Sequence, residues 1–196
     1  MNKSLFLLGG TPWINLVNTT YISEKQIIDV LIKPASTLQW LKENNLLRES
    51  DFLALEDEEM LQSLIVSLQS LRDLSNMIVG DLEQEGKLTF NVTEQLKKFT
   101  KKVDVSLSID SESDKLKLVT EGITVRDHVL YMIIHSIIQS LDKIATQRIR
   151  KCEHPECCLY FIDTSKSQKR RWCSMELCGN RKKAAEFYAR KKKKSN

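Results

Sequence analysis

All five cysteines of the chain fall between Cys152 and Cys178, and the 151 residues before them contain none. Four form two equal pairs, Cys152-x4-Cys157 and Cys173-x4-Cys178, with fifteen residues between the pairs. Tetrahedral zinc takes ligands in this pattern: each pair comes from one turn, and the intervening loop folds back. A secreted disulfide scaffold would spread its cysteines over the fold it staples, so tight clustering points to metal instead. The expectation is one structural zinc on Cys152, Cys157, Cys173 and Cys178. Four protein ligands leave no open position at which a bound water could become a nucleophile. The competing readings are apolar filler cysteines or a redox pair formed by Cys157 and Cys158. Spacing symmetry leaves Cys158 packing nearby, and His154 is either a substitute ligand or a solvated turn residue.

Between the pairs, Leu159-Tyr160-Phe161-Ile162 and Arg171-Trp172 flank residues 163–168, which reads as a short two-stranded hairpin. From Gly179 to Lys194 the chain is rich in helix formers. The expected order is knuckle, hairpin, then a helix starting at the metal. A segment this short buries too little core to fold alone. Zinc binding, worth about 10–16 kcal/mol in comparable peptides, supplies most of its stability.

Charge divides the chain at the same place. From Thr146 onward there are fifteen basic against five acidic residues, a net +10. The residues before it carry fifteen basic against twenty-one acidic, a net −6, which leaves +4 for the whole. A mildly acidic body with a strongly basic tail implies a polyanionic partner for the tail. Arg170, Arg171, Asn180, Arg181, Lys182, Lys183 and Arg190 are the candidate nucleic-acid contacts. Arg forks onto a guanine edge or a phosphate, whereas Lys mainly neutralises phosphate. Asn180 either pairs with adenine or caps the helix beside Gly179, the second being the simpler reading. Arg181 either reads a base or packs over Trp172. The terminal lysines have a plain alternative as a solvated tail.

Upstream, the pattern is mainly helical. Pro34 suits the first turn of a helix that Asn44-Asn45 ends. Apolar residues recur at threes and fours from Asp57 to about Leu82, a long amphipathic helix with Glu56 to Glu59 at its positive end. Asn91 to Glu94 has capping-box spacing. Val105 to Asp110 and Lys115 to Thr120 alternate around a turn at 111–114, a β-hairpin signal. Thr124 and Asp127 open a helix expected to run to about Arg150 and feed directly into Cys152. Gly9 to Trp13 reads as a turn, followed by a mixed segment, Ile14 to Thr20. The division is therefore a helical domain with one hairpin over 1–150 and a zinc-bound knuckle-hairpin-helix module, treble-clef-like, over 151–196.

Within 1–150 there is no phosphate-binding glycine loop, nucleophile elbow or pair of histidines at metal spacing, so no enzyme is expected. His128 and His135, seven apart on one helix, read as structural. Trp13, Asn15, Asn18 and Thr19 are candidates for a small polar ligand pocket, or for turn and helix capping. The aliphatic stripes are core or a homodimer seam. No apolar run approaches the ~18–20 residues of a membrane span, and Leu5 to Leu8 is shorter than a signal-peptide core, so a soluble cytoplasmic protein is expected.

Cys152-Glu153-His154-Pro155-Glu156-Cys157, followed by Arg170-Arg171-Trp172-Cys173-Ser174-Met175-Glu176-Leu177-Cys178-Gly179-Asn180-Arg181, resembles the CGNR zinc finger family over about residues 148–190, with the element Asp163-Thr164-Ser165 included. Ile14-Asn15-Leu16-Val17-Asn18-Thr19 and Thr37-Leu38-Gln39-Trp40-Leu41 resemble the ABATE domain that commonly precedes that finger. Asn15 stands where that family usually has aspartate, and Cys158 where glycine or another residue is common. The resemblance implies a stress-responsive bacterial transcription regulator, with the finger on DNA and the N-terminal domain sensing a ligand or partner. Two other classes compete: a zinc-dependent protein-interaction module, and an RNA binder stacking bases on Tyr160, Phe161 and Trp172.

Overall fold

The computed structural model describes residues 5–111 and 115–194, with side chains to Lys191. A 3-10 turn at Leu5–Leu7 leads into α1, Pro12–Val17, where Pro12 occupies the first turn. The segment expected as turn plus mixed structure is thus a short helix. Six residues are too few to show a helical period.

β1 (Thr20–Ser23) and β2 (Gln26–Asp29) then form a hairpin that the sequence reading missed. Its two-residue turn, Glu24-Lys25, has φ of 49° and 65°. Both central residues of a type I′ turn need positive φ, a demand normally met by Asn-Gly or Asp-Gly. Glu-Lys carries no such signal.

α2, Pro34–Glu43, begins at Pro34 as expected and ends where Asn44 caps it and Asn45 turns left-handed at φ 53°. After the single turn α3, Asp51–Ala54, comes α4, Glu58–Glu85. Asp57 caps α4, accepting from the Glu59 and Met60 N–H groups, and Gly86 closes it in the left-handed conformation. α5 spans Phe90–Thr100, and its cap is Thr89, accepting from Val92 N–H, rather than the expected box at Asn91.

β3 (Val105–Asp110) pairs antiparallel with β4 (Lys117–Gly122), two residues beyond the expected second strand. Residues 112–114 of the expected turn lie outside the described residues. α6 covers Val125–Lys143 under the Thr124 cap. It stops seven residues short of expectation. A 3-10 turn at Thr146–Arg148 and the strand β5, Ile149–Lys151, intervene before Cys152.

β5 pairs with β6, Tyr160–Ile162. This corrects the hairpin expected between 159–162 and 171–172. Lys151 sits opposite Tyr160, so the first cysteine pair lies in the turn between the two strands. Residues 171–172 instead cross behind that turn, where Arg171 O accepts from Glu153 N–H at 2.9 Å. A π-helical turn, Met175–Gly179, runs into α7, Asn180–Lys194.

α1 lies against both α4 and α6, with α2 and α5 also on α4. Trp13, Trp40, Leu64, Leu68, Leu71, Ile133 and Ile137 are sealed between them. The apolar period of α4 produces this core directly. Ile149 and Ile162 belong to the same core. The 150/151 division therefore falls inside a strand whose side chains serve the helical body, and no linker separates the parts. Mainly helical architecture with small two-stranded sheets matches the expectation. Among the described residues no helix is long and apolar enough to cross a membrane.

Candidate metal centre

β5 and β6 present the first knuckle at their open end. Cys152 N–H donates to Leu159 O at 2.8 Å, closing the loop on the strands. Cys157 N–H donates to His154 O at 3.0 Å, and Glu156 N–H donates to His154 Nδ1 at 3.2 Å. His154 is buried and organises the turn as an acceptor, outside the ligand group.

The second pair is set by the π-helical turn. Ser174 O accepts from both Cys178 N–H and Gly179 N–H at 3.1 Å, and Ser174 Oγ accepts from Leu177 N–H at 3.3 Å. Ser174 is therefore the cap. Asn180, already helical at φ −67°, is exposed at the junction, and this corrects the reading of Asn180 as a cap. Gly179 is required for closeness: a Cβ there would stand 2.4 Å from Met175 Sδ and 3.0 Å from Trp172 Cδ1.

These turns bring the Sγ atoms of Cys152, Cys157, Cys173 and Cys178 within 4.8 Å of one another. Tetrahedral geometry at a Zn–S length of about 2.3 Å requires sulfur–sulfur edges of about 3.8 Å. Cys157–Cys173 measures 3.8 Å and Cys173–Cys178 3.6 Å. Cys173 N–H also donates to Cys152 Sγ at 3.4 Å, a bond suited to a thiolate acceptor. The donor set fits zinc.

Acid–base behaviour points the same way. With only protons to share, hydrogen bonds from Cys157 and Cys173 hold the Cys152 thiol far below its usual range. Cys157, donating to Cys152, is pushed up to about 12, and Cys173 rises for the same reason. Cys178 is raised by burial first and the Cys152 charge second. Four sulfurs this close cannot all ionise unaided. A divalent cation removes that conflict, leaving a centre of net charge about −2 on four thiolates.

The surroundings suit such an anion. Cys178 lies in the π-helical turn that runs into α7, two residues before that helix begins. Arg170 lies over the Phe161 ring at 4.4 Å, donates to Trp172 O at 2.8 Å and also donates to Cys173 O. Arg170 N–H donates to Asp163 Oδ2 at 2.9 Å, while Asp163 Oδ1 accepts from Ser165 N–H at 2.9 Å and Ser165 Oγ–H at 2.6 Å. Burial by itself raises the Asp163 carboxyl. The Ser165 and Arg170 bonds and the Arg150 charge outweigh it and hold the group below its ordinary value. The scaffolding role of Asp163 was not foreseen, although Asp-x-Ser is the spacing of an Asx turn.

The remaining candidates are distributed differently. Arg171 pairs with Glu153 at 2.5 Å and lies over Trp172 at 4.8 Å, a place considered for Arg181. Arg181 instead pairs with Glu156 at 2.7 Å. Lys183 and Arg190 are exposed on α7 and Lys182 is half-buried. Cys158 Sγ points at Thr20 O, 3.8 Å away.

Trp13, Asn15, Asn18 and Thr19 are all buried. Trp13 Nε1 donates to Ser140 Oγ at 2.9 Å. Asn15 accepts from Gly9 N–H at 2.8 Å and donates to Asn44 Oδ1 at 2.6 Å. Thr19 Oγ1 donates to Leu16 O at 2.7 Å and accepts from Arg72 Nη1 at 3.0 Å. Asn18 bonds both backbone groups of Tyr160 at 2.8 Å. Of the two readings of these four residues, the bonds correspond to internal capping. They are spent inside the fold because buried polar groups must find partners.

A cavity of about 340 Å³ borders the centre, with Leu5, Tyr21 and Ile22 on one side and Cys158, Leu177 and Arg181 on the other. His128, buried at the start of α6, and exposed His135, stacked on Tyr131 at 5.7 Å, form no joint site.

Residues 148–191 match the model of the CGNR zinc finger. No curated protein matches the chain. That stretch is similar to a CGNR zinc finger, and its four cysteines are arranged to bind one metal ion, consistent with zinc.

Proposed function

We propose that the protein is a cytoplasmic bacterial transcription regulator that grips DNA through α7 and its metal-anchored base. The N-terminal helical domain, by its ABATE resemblance, receives a ligand or partner signal, including a stress signal. The observation that carries the reading is the placement of α7. It continues directly from the π-helical turn that supplies Cys178, and its residues from Lys183 to Lys191 are exposed. Fifteen helical residues span about 22 Å, and the major groove of DNA admits a helix.

The helix carries Arg181, Lys182, Lys183 and Arg190 against one acid, Glu186. Arg181 is not lost to its pair with Glu156. Exposed pairs of that kind are worth about 0–1 kcal/mol and exchange readily for phosphate. Arg170, by contrast, is engaged with the Cys173 carbonyl and the Phe161 ring, so it serves the module's shape. Base stacking on Phe161 is closed off because that ring is fully buried, which favours a helix-borne DNA contact over the RNA reading.

Signal reception has a physical route to α7. The cavity beside the centre has one wall from β1 and another from Arg181. A ligand filling it touches both parts of the chain. The chemistry of a closed four-sulfur site gives this reading no catalytic step.

Fluorescence anisotropy with zinc-loaded protein and mixed genomic duplexes tests the proposal. Binding is expected to fall ~10³-fold between 50 and 200 mM salt if about six phosphates are neutralised. No binding at low salt, or an affinity indifferent to salt, sinks the DNA reading. Capture of a protein with neither nucleic acid bound would favour an interaction module, for which exposed Phe187 and Tyr188 on α7 are the natural contacts.

A further inference from the structure

The β3–β4 hairpin has the alternation of a half-buried sheet, yet the aliphatic side of its outer part is covered by no part of the described chain. In register, Leu107 faces Thr120, Ile109 faces Leu118, and Val105 faces Gly122. Successive side chains alternate between faces, so Val105, Leu107, Ile109 and Leu118 share one face, and Leu116 continues its row. The other face carries Ser106, Ser108, Asp110, Lys117 and Glu121, with half-buried Val119 among them.

A strand pair with this pattern belongs with its aliphatic side against a core. Here Leu107, Ile109, Leu118 and Leu116 are 67%, 68%, 67% and 78% exposed, and Val105 is 43% exposed. Only the base of the face meets its own chain. At Gly122 the start of α6 approaches so closely that a Cβ would fall 1.9 Å from His128 N. Past that glycine Val119 to Glu121 are still half-buried, while all of β3 and Leu116 to Leu118 are exposed.

We propose that this aliphatic face is a homodimer interface, covered by the same face of a second copy. Three observations select that occupant. The face bears no charged side chain, so it offers nothing for a polyanion or an oppositely charged peptide to match. Its exposed row is aliphatic from Leu107 and Ile109 on β3 across to Leu118 on β4, so one copy offers another the same kind of surface about a twofold axis. Asp110 stands opposite Lys117 in the ladder, and Glu121 lies 3.7 Å from Arg48, so charges on the back of the hairpin offset one another and do not repel a second copy.

The area is also sufficient. Five aliphatic side chains at these exposures present on the order of 500 Å², at the upper end for a single patch on a monomer. Two copies face to face bury on the order of 1,000 Å², the lower bound for a specific interface. A two-stranded hairpin is marginal alone, and stacking two of them supplies the missing second layer. The interface is independent of DNA binding, and it would place two α7 helices on one particle.

The test is sedimentation velocity on the zinc-loaded full chain across a micromolar concentration series. Wild type is expected as a dimer. Leu107→Asp combined with Ile109→Asp should raise the dissociation constant on the order of 100-fold or more with helical circular dichroism and zinc content unchanged. Ser106→Glu with Ser108→Glu, on the opposite face, should leave the dimer intact. A second readout needs no variant: amide exchange across residues 105–109 of wild type should slow as protein concentration rises. A wild-type monomer throughout the series, whether or not it binds phosphatidylcholine vesicles, overturns the proposal, as does a dimer that survives the double aspartate change.

Discussion

Asn18 holds both backbone groups of Tyr160: its Nδ2 donates to Tyr160 O and its Oδ1 accepts from Tyr160 N–H, each at 2.8 Å. One side chain thus completes the outer edge of β6 from the end of α1. Ile162 N–H donates to Gly9 O at 3.0 Å one step further along. Leu5, Leu8 and Tyr21 pack with Leu159, Phe161 and the cysteines. The metal module therefore shares its core with the N-terminal part of the chain.

Removing that clamp should weaken both parts together. Asn18→Ala leaves two backbone groups without partners and is expected to cost about 2–4 kcal/mol. Urea unfolding followed by helical circular dichroism and by zinc release should show both transitions moving to lower denaturant. A zinc midpoint that stays in place would mean the module does not depend on this contact.

Metal loss is expected to reach beyond residue 150. Cys173→Ser removes a ligand and leaves Leu5, Leu8 and Tyr21 with a loosened neighbour. One zinc per chain should fall to near none, and amide protection should drop at Leu5–Leu8 and in β1 as well as after Cys152. Protection lost only after Cys152 would show two independent units. Acid should act in the same direction, because the thiolates must be protonated before zinc leaves.

Arg72 is the only buried cation among the described residues, and it forks onto Asp29 at 2.6 and 2.8 Å. Burial pushes the Asp29 carboxyl up, but the Arg72 and Leu31 N–H bonds and the Arg72 charge prevail and hold it below the ordinary 3.8. The unfolded chain thus binds more protons, so this pair's contribution is complete above about pH 5 and drains away as pH falls through the folded pKa. Asp29→Asn should cost about 2 kcal/mol at pH 7 and flatten the acid limb of stability against pH. An acid limb of unchanged slope would remove the pair from the account.

Two classes of basic residue should separate in DNA binding. Lys182→Glu with Lys183→Glu on α7 should weaken binding at least ~10-fold and reduce the salt slope by about 2, leaving zinc content unchanged. Arg170→Ala should instead lower stability by about 2–3 kcal/mol through its lost carbonyl and ring contacts. The assignment fails if Arg170→Ala changes the salt slope while stability holds.

The legible parts of the sequence were those governed by short-range rules. Two equal cysteine spacings identified the ligand set, and the three-four repeat from Leu61 to Leu82 identified α4. Pro34 and Asn44-Asn45 bracketed α2 because each has a fixed backbone consequence. Long-range pairing was not legible. Ile149-Arg150-Lys151 reads as the end of a helix, and only its partner across the knuckle, Tyr160–Ile162, makes it a strand. Glu24-Lys25 hides a turn because neither residue favours positive φ. Arg72 sits in the apolar row of α4, and nothing local reveals that Asp29 and Thr19 wait for it. Asn18 stayed open between pocket and cap for the same reason, its partner being 142 positions away.

Four sulfurs around one tetrahedral ion are what fix the start of α7 in place. Cobalt(II) exchanged into the full chain reports this directly, because d–d intensity reads geometry and charge-transfer bands count thiolates. One equivalent is expected to saturate an intense tetrahedral spectrum with four thiolates per metal, and Cys158→Ala should leave that spectrum unchanged. Weak octahedral bands, fewer than four thiolates, or a spectrum lost with Cys158 would contradict the account.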